Sequence, residues 1–166
     1  VAGVAYPASD PFVLAAGSVW DDSYGARTVE DAQDHTTAAD RVSGYSQRHP
    51  TLTDILAPGG VIVGARDGGG FLNKQGTSMA SPFVSGAVLI AQQLAQREMS
   101  RFLAFDEFRT LIRDTAVMVN DGDDENYNVS ATGANYPRLN IFAMAEALLN
   151  NPGPPSISVH TRRARW

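Results

Sequence analysis

The chain has 166 residues, a formal net charge of −5, 43% apolar and 19% charged residues, and no cysteine. This is the composition of an ordinary globular chain long enough to bury one core, and its acidic balance argues against nucleic-acid or anionic-membrane binding despite Arg162, Arg163 and Arg165 near the C-terminus. Disulfides, thiolate zinc sites and a cysteine nucleophile are excluded, and no apolar run approaches the roughly 18 residues of a membrane span.

In chain order, residues 1–20 are apolar and punctuated by Gly and Pro. Phe12 to Val19 is apolar at nearly every position, the pattern of a strand buried on both faces of a parallel sheet. Residues 21–50 are polar with little periodicity and read as a long surface loop with a short hairpin. Leu52–Ala57 and Val61–Ala65 read as two short strands joined by Pro58-Gly59-Gly60, and Gly68-Gly69-Gly70 as the next turn.

Thr77 or Ser78 then opens a helix. Ala80, Val84, Ala87, Val88, Ala91, Leu94 and Ala95 share one of its faces. Pro82 lacks an N–H, so the Ser78 carbonyl is left without its usual helical partner. A second helix is predicted from Phe105 to about Thr115, with Phe105, Phe108, Leu111 and Ile112 as its apolar stripe and Asp106 and Glu107 suiting its first turn. A third follows Asn140, with Ile141, Met144, Ala145 and Leu148 on one side, and ends at Asn150-Asn151-Pro152-Gly153. Residues 152–166 read as a linker or tail.

The string with the most chemistry is Gly76-Thr77-Ser78-Met79-Ala80-Ser81-Pro82. A glycine permits a sharp turn into a serine at a helix N-terminus, which exposes a hydroxyl beside free amides that favour negative charge. The bland reading is a helix cap, in which Thr77 or Ser78 satisfies those amides. The string resembles the nucleophile segment of the subtilisin-like serine proteases. Tyr6-Pro7-Ala8 and Pro11 to Val19, Asp54-Ile55-Leu56-Ala57-Pro58-Gly59, and Pro137 to Ala145 resemble further segments of that family in the family's order. The similarity covers about residues 1–150.

The resemblance implies a three-layer α/β/α fold with a mostly parallel sheet, incomplete here, in which residues 1–151 form the C-terminal part of a catalytic domain. It implies a serine endopeptidase acting on polypeptides, with Ser78 as nucleophile and the Ser78 backbone N–H as one oxyanion donor; subtilisin's catalytic triad is itself the standing example of this arrangement. Ala5, Tyr6, Pro7, Ala8, Gly76 and Thr77 would line the substrate pocket, with a cis Tyr6–Pro7 bond and small residues at the floor, which favours broad or apolar specificity. No cofactor is required for the chemistry. Ala8, Asp10 and Val13 match the positions of a weak calcium or sodium site in some members; the alternative is a plain turn. Secretion, to a bacterial exterior or cell surface, follows from the family alone.

The chain departs from the family pattern in its histidines. His35, His49 and His160 are the three present, none in a His-Gly-Thr-His type segment, and His49 reads as an exposed loop residue. The catalytic Asp and His and the oxyanion Asn are therefore expected upstream of Val1, in an N-terminal half that belongs to the same gene product or to a separate chain. By itself the chain is expected to leave apolar surface uncovered and to be inactive. Two other readings stay open: a sedolisin-type serine-carboxyl peptidase, and a non-catalytic binding or structural domain on the same fold. The acidic stretch Asn120 to Asn126, which includes residues 121–125, reads as a solvated insertion, with a calcium site as the alternative.

Overall fold

The computed structural model describes residues 3–150; the 152–166 segment and His160 lie outside the described residues. The central sheet contains β1 (Ala16–Val19), β4 (Ile55–Pro58), β7 (Val117–Asn120) and β9 (Asn135–Arg138), in the order β1-β4-β9-β7. β1 and β9 each run parallel to β4, and β7 runs antiparallel to β9. A second sheet is formed by β2 (Arg27–Val29), β3 (Ala32–Thr36) and β8 (Asn126–Tyr127), and a hairpin by β5 (Ile62–Ala65) and β6 (Phe71–Lys74). The helices are α1 (Thr77–Met99), α2 (Phe105–Asp114) and α3 (Ile141–Asn150).

The helical periods read from the sequence carry the core. Ala80, Val84, Ala87, Ala91 and Ala95 of α1 are buried against Ile55 and Ala57 of β4, together with Phe108 and Ile112 of α2 and Met144 and Leu148 of α3. Alanine dominates the α1 stripe, which lets the helix lie close to the sheet. The other side of the sheet carries a smaller cluster of Val19, Leu56 and Tyr136, covered by Val42. All three helices thus join one core, so the described residues supply the sheet and one helical layer of the expected three. Leu89 and Phe142 on their outer faces are exposed at 67% and 72%, whereas β1, whose apolar faces were expected to stay uncovered, is mostly buried between the two clusters.

Helix ends follow local chemistry. Asn140 Oδ1 accepts the Ala143 N–H at the start of α3. The Glu107 carboxylate accepts the Ala104 N–H in the first turn of α2 and takes both ends of the Arg101 guanidinium. The Arg101 hydrogen bonds, followed by that of Ala104, lower the Glu107 pKa to about 2.

Three expectations need correction. The first strand begins at Ala16, not Phe12. Asp10 folds Phe12 and Val13 into a turn, its Oδ1 accepting the Phe12 N–H at 2.8 Å and its carbonyl the Val13 N–H at 3.1 Å, and Phe12 is left 83% exposed. Residues 21–50 contain the expected hairpin, β2–β3, but they are not a surface loop throughout: Asp34, Val42, Ser43, Ser46 and Arg48 are buried. Their polar groups find partners inside, which is the condition for burial. The acidic stretch is not wholly solvated either. Asp121 is buried and paired with Arg48, Asp124 pairs with Arg41, and Glu125 accepts the Val42 and Gly122 N–H groups. The Asp123, Asp124 and Glu125 carboxylates lie within 4.8 Å of one another, two of them already engaged in these ties.

Candidate active site

The approach to Ser78 is built from close backbone contacts. The Gly76 N–H donates to the Gly59 carbonyl at 2.8 Å, and the Gly59 N–H to the Val19 carbonyl at 3.0 Å. A chain of backbone bonds therefore runs from the end of β1, through the turn after β4, to the residue before α1. Behind it lies a hydroxyl network: Ser18 Oγ is 3.0 Å from Ser43 Oγ and 2.9 Å from Tyr45 Oη, and the Tyr45 hydroxyl donates to the Gly59 carbonyl at 2.8 Å. Burial raises the pKa of Tyr45, opposed by hydrogen bonds from Ser18 and Ser43, so the phenol stays a donor. Both glycines are required by geometry. A Cβ on Gly59 would collide with the Ser18 hydroxyl and stand 2.8 Å from the Gly76 carbonyl oxygen. Gly76 has φ 144° and ψ 162°, a conformation open essentially to glycine alone.

Gly76 is the N-cap of α1, and no side chain caps the helix. Thr77 and Ser78 therefore do not perform the capping role that a bland reading gives them. The Gly76 carbonyl accepts the Met79 N–H at 2.9 Å, while Ser78 is exposed in the first turn, where helical amides lack intrahelical acceptors.

The predicted pocket residues come together. Ala5, Tyr6, Pro7, Ala8, Gly76 and Thr77 all line one open cavity of about 740 Å³, and Ser78 lines it with them. The Tyr6–Pro7 peptide is cis. Gln47, in the polar segment, accepts the Ala5 N–H at 3.1 Å and also faces this cavity; it was not among the sequence candidates, because nothing in residues 21–50 distinguishes it before folding. Among the described residues no histidine or aspartate lines the cavity. His49 lines a neighbouring groove, its Nδ1 3.1 Å from Thr51 Oγ1, and His35 is exposed on β3.

Around Asp10 the carboxylate and carbonyl are engaged with Phe12 and Val13, as a plain turn requires. The Pro7 carbonyl likewise accepts the Asp10 N–H at 2.9 Å. This leaves the Ala8 and Val13 carbonyls and one Asp10 oxygen as donors of the hard type that calcium or sodium takes.

A helix laid on a mixed, partly parallel sheet, opening at an exposed serine on the rim of a cleft, defines an α/β protein with a hydroxyl at the cleft edge. The chain belongs to the subtilase family of serine proteases, whose model matches residues 2–140, and it carries the motifs of the C-terminal part of the family's catalytic domain. It is similar to the PIII-type proteinase of Lactococcus lactis subsp. cremoris, with 29% identity over 148 residues that span 80% of this chain and 8% of that protein. It is 33% identical over 126 residues to the minor extracellular protease Vpr of Bacillus subtilis, across 69% of this chain and 15% of that protein. Among solved structures it resembles the prenylagaramide maturation protease PagA, with TM-score 0.60, 26% identity, and coverage of 86% of this chain and 44% of that one. The chain thus spans less than half the length of the relatives named here. No helix of the described residues is long and apolar enough to cross a membrane.

Proposed function

We propose that this chain carries the nucleophile and part of the substrate cleft of a subtilisin-like serine endopeptidase. The observation that carries the reading is the position of Ser78: exposed at the mouth of α1, without a capping role, in one cavity with Ala5 to Ala8. Ser78 Oγ attacks the scissile carbonyl carbon and its proton passes to a histidine. The oxyanion is held by the Ser78 N–H and an asparagine side chain. The histidine then protonates the leaving amine, an acyl-enzyme forms on Ser78, and water hydrolyses it. The histidine, its orienting aspartate and the asparagine come from outside the described residues, none of whose histidines or aspartates lines the cleft. Without them the chain is inactive, because loss of triad partners costs orders of magnitude in rate.

The chemistry needs no cofactor. A calcium or sodium ion held by Ala8, Asp10 and Val13 would act on stability alone. The likeness to the minor extracellular protease Vpr supports an extracellular or cell-surface setting. The test is labelling of the full-length protein with a fluorophosphonate, which is expected to modify Ser78 and to be abolished by Ser78→Ala. Labelling that survives Ser78→Ala overturns the assignment.

A further inference from the structure

The cleft around Ser78 carries one charged residue among those that line it, Glu30. The rest of its wall is apolar or neutral, including Val4, Val13, Leu14 and Val29. Glu30 also borders the adjoining groove of about 850 Å³, so it stands where the two hollows meet. Arg48, which also lines that groove, is already committed to Asp121. Among the described residues Glu30 takes part in no ion pair.

Its placement is fixed by the fold. Glu30 and Asp31 form the two-residue turn between β2 and β3, where Val29 pairs with Ala32. Glu30 has φ 52°, a left-handed conformation unfavourable for a residue with a side chain and ordinarily assigned to glycine or asparagine at such a turn. Asn128 holds this turn: its Nδ2 donates to the Asp31 carbonyl at 3.0 Å, its Oδ1 accepts the Gln33 N–H at 2.8 Å, and its own N–H donates to the Gln33 carbonyl at 2.9 Å. On the other strand Gln75, next to the nucleophile segment, donates to the Thr28 carbonyl at 3.3 Å. A residue that bears a carboxylate therefore borders, from a braced turn, the cleft that contains Ser78.

We propose that Glu30 determines specificity, by selecting a lysine or arginine side chain at one position of the polypeptide substrate. This deepens the endopeptidase reading and rests on it. A lysine or arginine stem packs along apolar wall residues while its head reaches a carboxylate, a division of labour these side chains make readily. A substrate carboxylate at the same position meets like charge. Small residues at the pocket floor alone suggest a broad or apolar preference; Glu30 adds a basic preference at the subsite it borders. Because Glu30 is exposed, the discrimination is about threefold and weakens with salt.

The experiment uses the full-length protein and fluorogenic peptides in which lysine, arginine, norleucine or glutamate is placed at each position around the cut. One position is expected to favour lysine or arginine over norleucine by about threefold in kcat/KM, mainly through KM. Glu30→Gln removes that ratio, Glu30→Lys reverses it towards glutamate, and Glu30→Asp keeps part of it. Equal handling of basic and norleucine peptides at every position, or a basic preference untouched by Glu30→Gln, overturns the proposal. The same peptides, bound to the Ser78→Ala protein and followed by fluorescence polarisation, report the preference without turnover. If Ser78 takes no fluorophosphonate and no peptide is cut, the endopeptidase reading fails while this binding arm still decides Glu30.

Discussion

Replacing Asp121 by asparagine is expected to be among the most destabilising conservative changes in this chain. The Asp121 side chain is fully buried and Arg48 is 5% exposed. The carboxylate accepts Arg48 Nε at 2.9 Å and Nη2 at 2.7 Å, the Tyr127 hydroxyl at 2.6 Å, and both the Thr132 N–H and hydroxyl at 2.7 Å. Arg48 Nη1 donates onward to the Ser46 carbonyl at 2.9 Å, so the pair ties residues 43–48 to the segment 121–132. Asparagine keeps the shape, loses the charge, and turns an NH2 towards donors. It leaves a guanidinium buried without its counter-ion, a change that costs about 3–5 kcal/mol. For a chain of this size that is a fall in Tm of roughly 10–15 °C.

Acid should erase the difference. Burial acts to raise the Asp121 pKa, but the hydrogen bonds from Arg48, Tyr127 and Thr132 outweigh it and hold the carboxyl below its ordinary value. A group with a depressed folded pKa stabilises above its unfolded value of about 3.9 and loses that contribution as pH falls through the folded one. Urea and thermal melts of wild type, Asp121→Asn, Arg48→Met and the double variant, at pH 7 and stepwise into acid, measure the effect. The sum of the two single losses should exceed the loss measured for the double variant by about 2 kcal/mol. A loss below about 1 kcal/mol for Asp121→Asn, or additivity of the two changes at pH 7, would refute the view that this pair is a buried structural tie.

Burial raises the Asp34 pKa, with the Gly44 N–H opposing, so its contribution to stability is full below its unfolded pKa and declines as pH rises through the folded value; Asp34→Asn should gain Tm relative to wild type between pH 4 and pH 7, and a pH-independent difference would contradict this. Gly59→Ala should shift Gly76, two residues before Ser78, and slow fluorophosphonate labelling of Ser78 by about 100-fold, whereas an unchanged rate would mean that the Gly59–Gly76 contact does not position Ser78. Ala87→Leu places a large side chain where α1 meets the sheet with no exposed surface, and urea melts should show a loss of about 1–3 kcal/mol; a neutral result would show that α1 can move away from β4 freely.

Much of the frame was legible in the chain because its signals are local. A helical period with alanines from Ala80 to Ala95 sets the buried face of α1, and Asn140 announces the start of α3. Strands β7 and β9 left little trace. β9 contains Pro137, which donates no ladder hydrogen bond and reads as a strand breaker, yet it sits between β4 and β7 with the Leu139 N–H bonded to the Leu56 carbonyl. Strand β6 was equally hidden: Phe71 to Lys74 has no alternation, because Phe71 is 79% exposed and the hairpin has no core to face.

The sequence by itself determined the Ser78 segment, since Gly76 to Pro82 encodes a turn, a serine and a helix start within seven contiguous residues. Only the tertiary structure decided which residues share the cleft with Ser78. Glu30, Tyr45 and Gln47 come from a polar stretch without periodicity; Glu30 borders the Ser78 cleft from a β2–β3 turn braced by Asn128, 95 residues from Gln33, while Tyr45 and Gln47 are held there by the Gly59 carbonyl and the Ala5 N–H. The same holds for Arg48 and Asp121, 73 residues apart, whose burial is tolerated only because each finds the other. Local pattern fixes an element; a contact between distant polar groups is written in neither segment until the sheet brings the two together.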